Sequence, residues 1–303
     1  MSPREVANLP ASARARLLNL AREQGESFDQ LLVYYAIERF LYRLSRTQWG
    51  SRLVVKGATM LRAWGTPLGR PTRDIDFQGY IDNSAEAVTS AVQECLAVEY
   101  PQDGLVFDQD VRTEPINVDD RYPGVRATVS GHLDGARFKV KLDVGIDNAV
   151  MPDPEWVEYP TLLDLDAPQI LAYLPDTAVA EKYETMVSRG EANSRMKDFY
   201  DVWLLSRTHE FDGRQLADAL TATFGHRGTP LSSSPPPALT PAFSGSDDAQ
   251  AQWRAFLRKS AVTASERLSE VCADIIIFIV PAAAAAAGGT QFDQTWRPSE
   301  GWS

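Results

Sequence analysis

Hydrophobic residues recur at three- and four-residue spacings through roughly the first 50 positions, the period of helices with a buried face. Two helices are predicted there, over LLNLAREQ and FDQLLVYYAIERFLYRLSRTQ, with Ser27 in the N-cap position of the second. The period then shortens to two. RLVVKG reads as a strand, TMLRAWG as a helix opening just after Gly57, and DIDFQGYI as a strand following the turn TPLGRPTR. Residues 84–98 return to helical spacing. Alternation between residues 105 and 147 predicts two or three strands, including VRATVSGHL and RFKVKLDVGI joined across HLDGAR. Pro152, Pro154, Pro160 and Pro168 mark a loop-rich passage, and helices are predicted over 179–188 and 196–207. Residues 225–246 are rich in Gly, Pro and Ser and read as a linker. A last helix over 249–273 leads into a short apolar run. This order predicts an α+β fold, a mixed β-sheet core with N-terminal helices and a C-terminal helical region. The expected domains are residues 1–150, carrying the sheet, and 151–303, mainly helical, with a flexible linker at 226–248.

Composition narrows the chemistry. With 44% hydrophobic residues among 303, the chain can bury a core. Its two cysteines, Cys95 and Cys272, are far apart, and His132, His209 and His226 form no metal-binding spacing. A metal here would take oxygen ligands, which favours Mg²⁺ or Mn²⁺ over zinc. The N-terminal stretch is charged and lacks the apolar region of a signal peptide. The most lipid-like run, residues 275–287, contains Pro281 and falls short of the ~20 residues that span a bilayer. A buried C-terminal helix, no membrane association and a reducing cytoplasmic location are expected. The net charge of −11 opposes a broad nucleic-acid surface but leaves room for a small basic pocket.

Strand alternation puts Asp74 and Asp76 on one face, with Ile75 and Phe77 on the other. Two carboxylates so close repel unless a cation lies between them. In FKVKLDV, Phe138, Val140, Leu142 and Val144 share one face while Lys139, Lys141 and Asp143 share the other. If the two strands are neighbours in register, Asp143 becomes a third carboxylate. Standing alone, an Asp-x-Asp pair is most often a solvated strand edge. Upstream, the strand LVV turns through Lys56-Gly57-Ala58-Thr59 into a helix, which aims backbone N–H groups at an anion. An ordinary strand-to-helix turn has the same sequence pattern, and no Walker A motif is present.

KGATMLRAWG followed by TRDIDF resembles the first motif of the AbiEii/MenT-type nucleotidyltransferase toxins, a branch of the polymerase-β-like superfamily. Ala58 stands where the family usually has a second glycine or serine, and Thr72 matches the Ser/Thr two residues before the first aspartate. The similarity continues through AEKYETMVSRGEANSRMKDFYDVWLL, where Lys182 and Asp198 match the family's lysine and last-motif aspartate. The resemblance implies a nucleotidyltransferase-like sheet and a catalytic set of Asp74, Asp76, Lys182 and Asp198. Asp74, Asp76 and Asp143 would hold the metal, and Lys56, Gly57, Thr72 and Lys182 would bind the nucleotide. On its helical wheel Asp198 faces a buried side and needs a partner, with Lys182, Arg189, Arg195 and Lys197 as candidates. Asp201 is expected to be structural, paired with Lys197 one turn earlier.

The resemblance further implies the toxin of a toxin–antitoxin pair, with NTP as substrate, the tRNA acceptor end as target and a cognate antitoxin, such as a winged-helix protein, as partner. Arg62, Arg70, Arg73, Lys139 and Lys141 make the motif-bearing strands locally basic, as an RNA end would require. Two alternatives stay open: transfer to a protein or small-molecule hydroxyl, and an inactive nucleotide-binding partner protein.

Overall fold

A computed structural model describes residues 8–66, 71–118, 122–146 and 148–303, which form two compact units. The first contains residues 8–63, 71–118, 122–146 and 155–172, and the second contains 64–66, 148–154 and 173–303.

The first unit opens with α1 (Leu9–Gln24) and α2 (Phe28–Ser45). Asn8 and Ser27 cap them, each accepting a backbone N–H at 3.1 Å, from Ala11 and Gln30. Next come β1 (Leu53–Lys56), a tight 3₁₀ turn over Gly57–Thr59, α3 (Met60–Ala63), β2 (Asp74–Gly79) and α4 (Ala85–Leu96). The passage expected to hold two or three strands holds four: β3 (Leu105–Phe107), β4 (Arg112–Val118), β5 (Tyr122–Leu133) and β6 (Ala136–Gly145). The first two hide in sequence because β3 is only three residues long and β4 carries Pro115. The proline-marked passage also contributes β7 (Glu155–Glu158) and β8 (Gln169–Ala172) to this unit.

These strands make one mixed sheet in the order β3-β5-β6-β2-β1-β8-β7, with β4 on β5 beside β3. The pairs β2–β6 and β1–β8 are parallel and the rest are antiparallel. Ile75, Phe77, Val129, Val140, Leu142 and Val144 are buried, while α2 packs on β6 and β8 and α4 packs on β4 and β5. Asp134 and Gly135 both have positive φ (44° and 80°), the conformation a two-residue hairpin demands. That turn fixes the β5–β6 register, so Arg126 lies opposite Asp143. Behind the sheet, the buried Glu38 carboxylate accepts the Leu162 N–H at 2.7 Å and pairs with Arg39 at 3.0 Å. Burial pushes the Glu38 carboxyl up to about 7 against the pull of Arg39.

The second unit is mainly helical: α5 (Pro175–Arg189), α6 (Met196–Thr208), the short β9 (Phe211–Asp212), α7 (Gly213–Arg227), α8 (Pro241–Ser244), α9 (Asp247–Ser260) and α10 (Leu268–Gly288). It ends with β10 (Thr295–Arg297) and β11 (Gly301–Trp302), which join β9 in a small sheet. Within the Gly/Pro/Ser-rich passage read as a linker, Ala238, Leu239 and Phe243 are buried, and Phe243 stacks on Phe199 at 5.9 Å.

The last expected helix is two. α9 stops at Ser260, and α10 runs 21 residues, through Pro281 rather than ending there. Leu268, Val271 and Cys272 extend its buried stripe upstream of the run the sequence marked. By length and composition α10 is the one described helix apolar enough to cross a membrane, yet it packs on α6 and α7. Its Asp274 also accepts a hydrogen bond from the Trp203 indole N–H at 3.0 Å.

Candidate functional site

Five charged residues line up across the sheet of the first unit. Lys56 on β1 lies opposite Asp76 on β2, Asp76 beside Asp143 on β6, Asp143 opposite Arg126 on β5, and Arg126 opposite Glu114 on β4. Directly paired residues share a face, so the row alternates around two adjacent carboxylates flanked by cations. Asp74 lies two residues earlier on the same face, beside Lys141.

Asp143 is held by a residue that the sequence did not single out. Arg126 grips it as a fork, with Nε on Oδ1 and Nη2 on Oδ2, both at 2.7 Å. Its guanidinium pKa is raised, first by that hydrogen bond to Asp143, with the charges of Asp143, Asp74 and Glu114 adding to it. Counting outward from the Asp134–Gly135 turn would have revealed the partnership. Among the described residues, no three Asp, Glu, His or Cys side chains stand close enough to hold a metal ion. Even so, the available donors are hard oxygens. A carboxylate has about four lone-pair sites, so Asp143 can keep Arg126 and still contribute to a cation site.

The turn after β1 shows why residue 57 is glycine. Gly57 has φ 72°, and a Cβ there would come within 2.9 Å of Asp76 Cγ and closer still to Oδ2. Thus the backbone of the turn directly abuts the Asp76 carboxylate. Gly57→Ala is expected to cost about 1–2 kcal/mol in urea denaturation from the left-handed backbone alone, and to displace Asp76. An unchanged unfolding midpoint would show that the turn can relax.

Thr72 has a local task. Its hydroxyl donates to the Asp74 carbonyl at 2.9 Å and accepts the Asp74 N–H at 3.3 Å. Thr59 donates to the same carbonyl at 3.1 Å, and Gln30 on α2 donates to the Thr72 carbonyl at 3.3 Å. These bonds fix the start of β2. Of the expected basic residues, Arg62 lies over the Tyr34 ring at 5.2 Å, Arg73 and Lys139 are exposed, and Arg70 lies outside the described residues.

The second unit carries Lys182 on α5 and Asp198 and Asp201 on α6. Lys182 Nζ lies 3.2 Å from Asp198 Oδ1 and 2.8 Å from Asp201 Oδ2, and both carboxylates are essentially buried. Arg195 closes on Asp198 Oδ2 at 2.7 Å. Burial alone would raise the Asp198 pKa, but Lys182, Arg195 and Lys197 outweigh it and hold the carboxyl well below the usual range. Lys182, one of the partners expected for Asp198, is thus shared with Asp201. The link of Asp201 to Lys182 could not be read from sequence, because it depends on how α5 and α6 pack, whereas Arg195, three residues before Asp198, was among the partners expected for it.

A left-handed glycine turn set against a strand carboxylate is suited to handling the phosphates of a nucleotide, and the family match gives the class, a nucleotidyltransferase. The profile of the family described as "Nucleotidyl transferase AbiEii toxin, Type IV TA system" matches residues 39–275, and the chain belongs to that family. It thereby joins the toxins of type IV toxin–antitoxin systems, and the match spans β1, β2, β6, α5 and α6. No curated protein matches the chain.

Two solved structures from Helicobacter pylori are similar in fold. One is described as a candidate nucleotidyltransferase, with 14% identity, a TM-score of 0.42, and coverage of 83% of this chain and 91% of that one. The other, JHP933, has 12% identity, a TM-score of 0.44, and coverage of 83% and 88%. At these TM-scores the likeness adds nothing to the family assignment.

Proposed function

We propose that the chain transfers a nucleoside monophosphate from an NTP to the 3′ end of tRNA and so blocks translation. The acceptor 3′-hydroxyl oxygen bonds to the α-phosphorus, the bond from that phosphorus to the β-phosphate oxygen breaks, pyrophosphate leaves and the hydroxyl proton passes to solvent. The observation that carries this reading is the contact between the Gly57 turn and Asp76, which sets a backbone able to receive phosphates against a carboxylate able to hold a cation.

Asp74 and Asp76 would hold Mg²⁺ or Mn²⁺, and Asp143, held by Arg126 beside Asp76, would join as a third ligand by closing on the ion. When bound, the metal lowers the pKa of the acceptor hydroxyl and takes up charge on the leaving pyrophosphate. Lys56 and Gly57 would bind the nucleotide, and Lys182 would meet its phosphates, held in place by Asp198 and Asp201. Thr72, whose hydroxyl already spans the Asp74 backbone, would act on the nucleotide through the position of Asp74.

Membership in a toxin–antitoxin family implies an antitoxin. A winged-helix protein is the partner we propose, and the cytoplasm, where NTP and tRNA meet, is the proposed location.

The test incubates purified protein with Mg²⁺, each α-labelled NTP in turn and total tRNA. Label is expected at tRNA 3′ ends. Label on protein or on a small-molecule hydroxyl would replace the acceptor, and no label with any NTP would overturn the enzymatic reading. Expression that leaves growth unchanged would remove the toxin role.

A further inference from the structure

A cleft of about 550 Å³ opens in the first unit where β6 runs on past the first residue of β2. Its other wall forms where the edge of the sheet breaks between β3 and β4, at Asp108 and Asp110, and it is closed off by Asp29 and Val33 of α2. Arg73, Arg112, Arg137 and Lys139 line it, and all four are exposed. Asp29, Asp108 and Asp110 are interspersed with them, and Thr128 and Ser130 add hydroxyls.

We propose that this cleft binds the last few nucleotides of the acceptor strand, through a single-stranded ribonucleotide backbone. This rests on the nucleotidyltransferase reading and extends it to the site of the second substrate. Position is the first argument. The Gly57 turn lies on the β1 side of β2, whereas the cleft lies on the β6 and β5 side, one and two strands away at ~4.8 Å per strand. Asp74 stands between them, with Arg73 of the cleft as its chain neighbour and Lys141, two residues from Lys139, as its β6 partner. A donor at the turn and an acceptor in the cleft would thus approach β2 from opposite flanks.

The lining is the second argument. Each ribonucleotide unit presents one phosphate anion together with hydroxyl and base N–H donors, the 2′-hydroxyl among them. Four cations with three carboxylates interleaved match that mixture.

The experiment measures binding of a 5′-fluorescein 12-nucleotide RNA with a free 3′-hydroxyl by anisotropy, without NTP, over a salt series. The proteins are wild type, Arg137→Ser/Lys139→Ser in the cleft, and Arg22→Ser/Arg46→Ser, the same charge change on exposed residues outside it. The cleft variant is expected to bind about 10-fold more weakly, and its log–log salt slope to fall by about 1.4, at ~0.7 for each phosphate no longer neutralised. The control variant should bind like wild type, and a DNA strand of the same sequence should bind wild type more weakly than the RNA. No wild-type binding, equal binding by the cleft variant, or an equal loss in the control would each overturn the proposal.

Transfer assays separate the two readings. Label transfer to RNA with an unchanged KM for RNA in the cleft variant sinks the cleft and leaves the enzyme. Cleft-dependent RNA binding without transfer to any acceptor sinks the enzyme and leaves the cleft.

Discussion

Asp74→Asn is expected to lower nucleotidyl transfer by roughly 10³-fold or more, the scale of losing one strong electrostatic group at a reacting centre, without destabilising the fold. The substitution keeps the shape of the side chain and removes the charge that would hold the cation. The Asp74 side chain is half-buried, and the bonds that fix it in place run through its backbone to Thr72 and Thr59. Away from buried networks, such a change usually moves stability by no more than about 0.5 kcal/mol. Label incorporation into tRNA and a thermal melt on the same preparation check both halves. Activity above a tenth of wild type would remove Asp74 from the metal-binding set. A lowered melting temperature would show that the carboxylate also has a structural task.

How much of this was legible beforehand depended on how local each signal is. The period-two alternation of DIDF and FKVKLDV placed three aspartates on matching faces, and the parallel β2–β6 pairing sets Asp76 beside Asp143. The Gly57 turn was legible as a turn. What the sequence could not show was that its backbone lies against Asp76, because that contact depends on the antiparallel register of β1 and β2. Arg126 could have been found by counting back from the Asp134–Gly135 hairpin, since a two-residue turn fixes every pair in the ladder. The strands at residues 155–172 were obscured by the proline-marked loops around them. Asp201 was assigned to Lys197 because only neighbours one turn apart on a single helix can be read from sequence, whereas Lys182 reaches it from α5. The apparent linker was misleading for a related reason. Gly, Pro and Ser describe a backbone without regular hydrogen bonding, which is compatible with burying Leu239 and Phe243.

Lys182→Ala is expected to destabilise the protein by about 3–5 kcal/mol, because it removes one partner from a buried ionic cluster. The lysine side chain is 15% exposed, and the carboxylates it shares are 2% and 0% exposed. Urea denaturation at pH 7 should show the loss directly. Its pH dependence has a definite sign. Asp198 is held below its unfolded value, so the stability it contributes is complete above about pH 4 and is lost as pH falls through its lower folded value. The gap between wild type and Lys182→Ala should therefore narrow in acid and stay wide at neutral pH. A gap independent of pH would mean that lost packing of the lysine stem, rather than lost charge, sets the cost. The same reasoning changes how an inactive Lys182→Ala protein should be interpreted: loss of transfer reports on phosphate contact only under conditions where the variant is still folded. Lys182→Arg keeps the charge while changing its geometry. Near-wild-type stability with a raised KM for NTP in that variant would assign Lys182 to the nucleotide, whereas an unchanged KM would confine it to holding α5 and α6 together.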